Sequence, residues 1–122
     1  MLSPGILIID DSAEMRNLLE RVLASNYQTT SVSSGAEALE LAPGENFRVV
    51  FLASRVLRKE GLPILDSLKS LHPGAKIVAV ADHPGDPFLQ QIKNRGFYAG
   101  IYKPFSIKEI LDLVREVLNQ PY

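Results

Sequence analysis

The side chains that could do chemistry fall into a few short clusters. Asp10 and Asp11 follow directly on the apolar run Ile6 to Ile9. Two adjacent carboxylates at a strand end repel each other, and a hard divalent cation such as Mg²⁺ would relieve that repulsion. A structural alternative stands beside this. Asp11 could cap the next helix, with Glu14 completing a capping box, which leaves Asp10 without a task. A second cluster, Lys103-Pro104-Phe105, lies behind another short apolar run. Alone it reads as a surface lysine before a strand-stopping proline. The segment Arg55-Val56-Leu57-Arg58-Lys59 adds three positive charges on what is expected to be a loop. The chain has no cysteine, which excludes disulfides and thiolate metal sites. His72 and His83 both sit in Pro-Gly turns, so neither triad nor zinc catalysis has support and no enzyme is expected.

The elements that must position these residues alternate along the chain. Ile6-Leu7-Ile8-Ile9, Val49 to Ala53 and Ile77 to Ala81 are continuous apolar runs, as in strands buried on both faces. Tyr27 to Val32 reads as a polar, edge-like strand, and Ala99 to Tyr102 as a short fifth one. Between them, Met15, Leu18, Leu19, Val22 and Leu23 repeat at helical spacing. Ser34 with Glu37 opens a short helix that should close near Pro43-Gly44. Leu62, Leu65, Leu68 and Leu71 mark another helix, ended by His72-Pro73-Gly74. A helix is expected from Phe88 to about Arg95, stopped by Gly96, and Ser106 with Glu109 opens the last one. Five strands alternating with five helices require a parallel α/β sheet covered on both faces, in one domain spanning 1–122. In such a sheet the functional crevice lies beyond the carboxyl ends of the strands.

Taken together, the Asp10-Asp11 pair, Lys103-Pro104-Phe105 and the Gly61-Leu62 helix opening make the whole chain resemble a response-regulator receiver domain. The resemblance implies a flavodoxin-like doubly wound sheet with strand order 2-1-3-4-5 and a role in two-component or phosphorelay signalling. By the same resemblance, Asp10 and Asp11 hold Mg²⁺, Lys103 contacts a phosphoryl group, and the bond to Pro104 is cis. The departures are equally specific. Counting back from Gly61 puts Ala53 at the place of the phosphoacceptor aspartate. Counting back from Lys103 puts Ala81 at the Ser/Thr place and Gly100 at the place of the aromatic switch. In the family, the hydroxyl at the Ser/Thr place binds the phosphoryl oxygen and draws its loop inward. Ser54 should point away from Asp10 and Asp11, because neighbouring strand side chains face opposite sides. Asp82, which follows Ala81, is expected at the crevice rim. Lys103, with Arg55, is expected to neutralise the acidic pair in place of a cation. On that basis Lys103→Ala would cost about 3–5 kcal/mol, as for a buried pair that loses one member.

The expectation is therefore a degenerate receiver that binds other proteins independently of phosphorylation. The alternative is a working phosphorelay receiver with a non-standard acceptor. The expected partners of the degenerate receiver are a histidine kinase, an output domain or another receiver. Contact, including homodimerisation, is expected on the face formed by the 88–95 helix, the fifth strand and the last helix, with Tyr98, Tyr102, Gln90, Gln91 and Arg95 at its surface. No cofactor is expected, and Mg²⁺ should bind Asp10 and Asp11 weakly or not at all. A nucleotide or flavin binder on the same fold would need an anion-accepting turn after the first strand, where Asp10-Asp11-Ser12 would instead repel phosphate. Thirteen basic against fourteen acidic residues leave a net charge of −1, giving no broad attraction to nucleic acid or anionic lipid. The apolar runs fall well short of the ~20 residues of a membrane helix. A cytoplasmic domain follows as the expectation.

Overall fold

Runs of β-branched and large apolar residues between polar turns dictate where the chain extends and where it coils. A computed structural model describes residues 5–41, 47–87 and 95–119. Its strands are β1 (Gly5–Ile9), β2 (Gln28–Val32), β3 (Phe47–Ala53), β4 (Lys76–Ala81) and β5 (Ala99–Tyr102). All neighbouring pairs are parallel, in the order β2-β1-β3-β4-β5. The described helices are α1 (Ala13–Leu23), α2 (Gly35–Leu39), α3 (Ser54–Glu60), α4 (Pro63–Leu71) and α5 (Ile107–Leu118). The helix expected over 88–95 and the stop expected at Pro43-Gly44 lie largely outside the described residues. Gly96, expected to stop that helix, lies within them and takes a φ of 88°, a conformation that favours glycine.

Alternation along the buried strands sends side chains to two cores. Leu7, Ile9, Val50 and Leu52 pack beneath α2, α3 and α4, with Val56, Leu57, Leu65 and Leu68. Ile6, Ile8, Val49 and Phe51 pack beneath α1 and α5, with Leu19, Leu23, Ile110 and Val114. The sheet is therefore covered on both sides, which fixes the strands and carries their carboxyl ends to one rim.

Two local readings of the sequence need correction. The segment expected as a solvated loop at 55–59 is helical, and Val56 and Leu57 are buried in the core. It is followed at once by α4, because Gly61 takes a φ of 90°, a conformation that costs glycine little and other residues more. Asp11 is not the cap of α1. Ser12 does that work, its Oγ accepting from the amide of Met15 at 3.2 Å. The caps expected at Ser34 and Ser106 are present, each hydroxyl accepting from the amide three residues on.

Candidate functional site

The rim beyond β1, β3, β4 and β5 gathers charged side chains from four connections. Asp10 follows β1 and is 2% exposed. Its amide donates to the carbonyl of Val32 at 3.1 Å, and its Oδ1 accepts from the amide of Ser12 at 2.9 Å. Arg16 donates to its carbonyl at 2.7 Å. Asp10 is thus fixed on three sides, whereas Asp11 is exposed. Burial raises the Asp10 carboxyl above its ordinary range. The Ser12 bond and the charges of Lys103 and Arg55 pull the other way, Asp11 adds to the rise, and burial prevails.

β3 ends at Ala53, which is buried and packs with the core under α2, α3 and α4. Helix α3 starts on the next residue, and its second position places Arg55 over the acidic pair. One guanidinium nitrogen of Arg55 lies 3.0 Å from Asp11 Oδ1 and 3.5 Å from Asp10 Oδ1. Its Nε lies 3.6 Å from Asp82 Oδ2. Lys103 Nζ donates to Asp82 Oδ1 at 3.1 Å. The division of labour therefore differs from the sequence expectation: Arg55 bridges Asp10 and Asp11, and Lys103 takes Asp82 as its hydrogen-bond partner. Lys103 still adds a favourable charge near Asp10. Burial alone would raise the Asp82 carboxyl, but the Lys103 bond and the charges of Lys103, Arg55 and Arg58 outweigh it and hold the group below its ordinary range.

Sequence reasoning missed a second cluster. Asp86, from the loop after β4, is 2% exposed; its carboxylate accepts from Ser54 Oγ at 3.1 Å and from Arg58 at 3.4 Å. Ser54 is the first residue of α3 and not a strand residue, so strand alternation does not set its direction; its hydroxyl donates to the buried Asp86. The available signal was spacing: Ser54 and Arg58 are four apart, as are Asp82 and Asp86. Two such pairs become meaningful only once β3 and β4 are known to be neighbours.

The other expected positions are distributed as follows. Ala81 ends β4 fully buried, and its carbonyl accepts from the amide of Lys103 at 3.1 Å. Gly100 is exposed on β5, and Pro104 follows a cis bond from Lys103. Tyr102 and Arg95 are exposed and Tyr98 is half-buried, while Gln90 and Gln91 lie outside the described residues.

The Mg²⁺ that the resemblance implies does not fit this arrangement. The two carboxylates that would share it are turned to one guanidinium, and Ala53 offers no third oxygen. Among the described residues no group of three or more Asp, Glu, His or Cys side chains is placed to hold a metal. Nor is any described helix long and apolar enough to cross a membrane.

Comparison with known proteins agrees with the architecture. The chain is 29% identical over 119 residues to sporulation initiation phosphotransferase F of Bacillus subtilis, covering 97% of this chain and 96% of that protein. It is also 29% identical to the sensor kinase CckA of Brucella abortus, but there it spans only 13% of the relative's length. A response regulator from Thermotoga maritima superposes with a TM-score of 0.85 over 98% of this chain and all of that one, at 18% identity, which speaks to fold alone. Receiver domains are signalling modules that in general bind Mg²⁺ at an acidic pocket and interact with histidine kinases and output domains. The family model for the response regulator receiver domain matches residues 6–115, and with the sheet order 2-1-3-4-5 found independently in the structure, the chain belongs to that family.

Proposed function

We propose that this receiver domain acts as a protein-interaction module whose conformation is set by its sequence and not by a phosphoryl group. The observation that carries this reading is the pairing of Ala53 with Arg55. An acyl phosphate needs a carboxylate oxygen, and alanine has none. The cation that would assist transfer needs open carboxylates, and Arg55 already bridges Asp10 and Asp11 at 3.5 and 3.0 Å. Ala81 and Gly100 remove the hydroxyl and the aromatic ring that the family uses to sense phosphate, so the site is degenerate at three positions. Mg²⁺ binding is correspondingly weak, and the domain has no enzymatic role of its own.

Its partners on this reading are a histidine kinase, an attached output domain or another receiver, a second copy of this chain included. The contact face includes β5 and α5, with Tyr102 exposed on β5 and Arg95 exposed just ahead of it in the chain. The near-neutral net charge of −1 argues against direct nucleic-acid binding. A cytoplasmic location accords with partners of this kind.

One observation favours a second reading, a phosphorelay receiver with a relocated acceptor. Asp82 lies 3.1 Å from Lys103 Nζ, the partner that an acceptor carboxylate has in the family. Against it, Asp82 is also engaged by Arg55 and Arg58, and in-line attack tolerates displacements of only about 1 Å. Incubation with acetyl phosphate and Mg²⁺ followed by intact-mass measurement separates the two. An unmodified mass is expected. A phosphoryl adduct that disappears in Asp82→Asn would establish the second reading instead.

A further inference from the structure

We infer that Asp86 is a built-in latch, which pins the loop after β4 onto the first turns of α3 and fixes the loop position that phosphorylation would otherwise control. This deepens the proposed function and rests on it. The loop is held at both ends. At its start, Asp82 is gripped by Lys103 at 3.1 Å and by Arg55 at 3.6 Å. At its end, the buried carboxylate of Asp86 accepts from the buried hydroxyl of Ser54 and from Arg58. Arg58 also reaches Asp82 at 3.9 Å, so one guanidinium spans both ends. Between them the amide of Asp86 donates to the carbonyl of His83 at 3.2 Å, closing a turn through Pro84-Gly85 that leaves the loop little freedom.

The spacing makes this a device of sequence. Ser54 and Arg58 lie one helical turn apart and share a face of α3, with Arg55 beside them. That face meets the loop, while Val56 and Leu57 anchor the opposite face in the core. A buried carboxylate is costly unless paired and hydrogen-bonded, and Asp86 is both. In a receiver that switches, the loop after β4 moves when a hydroxyl at its root engages the phosphoryl group. Here Ala81 occupies that root, and Ser54, one residue past the acceptor position, supplies a hydroxyl directed at the loop from the other side. The latch therefore needs neither metal nor phosphate.

Amide hydrogen exchange, read residue by residue by NMR on the full chain, tests this. The probe is the Asp86 amide, with Ile8 and Phe51 amides in β1 and β3 as controls on the fold. Asp86→Asn and Arg58→Gln are each expected to speed exchange at residue 86 by about tenfold or more, with the controls unchanged, as for local opening. Ser54→Ala should do the same, and Ser54→Ala combined with Asp86→Asn should open the loop by less than the sum of the two single effects, because the Ser54 hydroxyl acts through the Asp86 carboxylate. If Asp86→Asn does not fold, Arg58→Gln and Ser54→Ala carry the test, since Arg58 is 43% exposed. Wild-type exchange at residue 86 in the folded variants would overturn the latch and leave the proposed function intact. A phosphoryl adduct on the wild-type protein would overturn that function and leave the exchange result to stand by itself.

Discussion

Arg55 is the side chain on which the charge balance of the crevice turns. Replacing it with methionine keeps an apolar stem over the rim and removes the guanidinium, leaving Asp10 and Asp11 to repel each other. Arg55→Met is expected to lower stability by about 1 kcal/mol, a modest figure because the arginine is partly exposed. It should also make the response to Mg²⁺ larger than that of the wild type; melting temperatures in chelator and in Mg²⁺ measure both effects. Lys103 contributes less than its position in the sequence suggested. Its pair with Asp82 is about one-third exposed, so the loss of about 3–5 kcal/mol that a buried pair would suffer becomes about 0.5–1 kcal/mol. The sign of its pH dependence follows from Asp82. The folded-state carboxyl titrates below its ordinary 3.8, so the pair stabilises fully above that pH and its contribution is lost as pH falls through the folded value. Lys103→Met should therefore flatten the acid limb of the melting temperature plotted against pH, with little change in shape above pH ~5.

At the scale of elements, the site depends on α3, and α3 depends on what holds its far end. Glu60 closes that helix and its carboxylate accepts from the amides of Gly35 and Ala36, both at 3.0 Å, tying α3 to the start of α2. Glu60→Ala is expected to cost about 1 kcal/mol, as for loss of a helix cap, and to speed amide exchange at residues 35 and 36. Gly35 must be glycine-sized there, since a Cβ would stand 2.4 Å from Ile64 Cγ1. The same elements show how much the sequence makes legible. The three buried strands announce themselves as unbroken apolar runs, and Ser34 and Ser106 as caps, because each signal is local. Helix α3 is not legible in that way. Its N-cap is Ala53, which offers no oxygen, it is seven residues long, and Gly61 and Pro63 just beyond it look like a break. Asp11 is plausible as a cap because Asp is favoured there and Glu14 suits a capping box, but Ser12, one residue on, competes for the same task and takes it. In the crevice, Asp10, Asp11 and Lys103 stand out by type and place. Ser54 and Asp86 do not, because 32 residues separate them and only the β3–β4 pairing joins their ends of the sheet.

For the whole molecule, the fold and the ionic crevice together describe a receiver whose architecture is intact and whose rim is already satisfied internally. Asp10, Asp11, Asp82 and Asp86 are met by Arg55, Arg58 and Lys103, contributed by four separate strand ends. A two-state switch requires a ligand that binds one state better than the other. On the proposed function, with no carboxylate at the end of β3 and the loop after β4 held by side chains, a phosphoryl group has neither an attachment point nor a state to select. The most direct test is to record amide NMR spectra of the wild-type domain with and without beryllofluoride and Mg²⁺, which together mimic a phosphorylated aspartate. Superimposable spectra are expected, residues 82–86 and 99–103 included. Shifts concentrated in those two segments would show a working phosphoryl site and contradict the assignment of this domain as phosphorylation-independent.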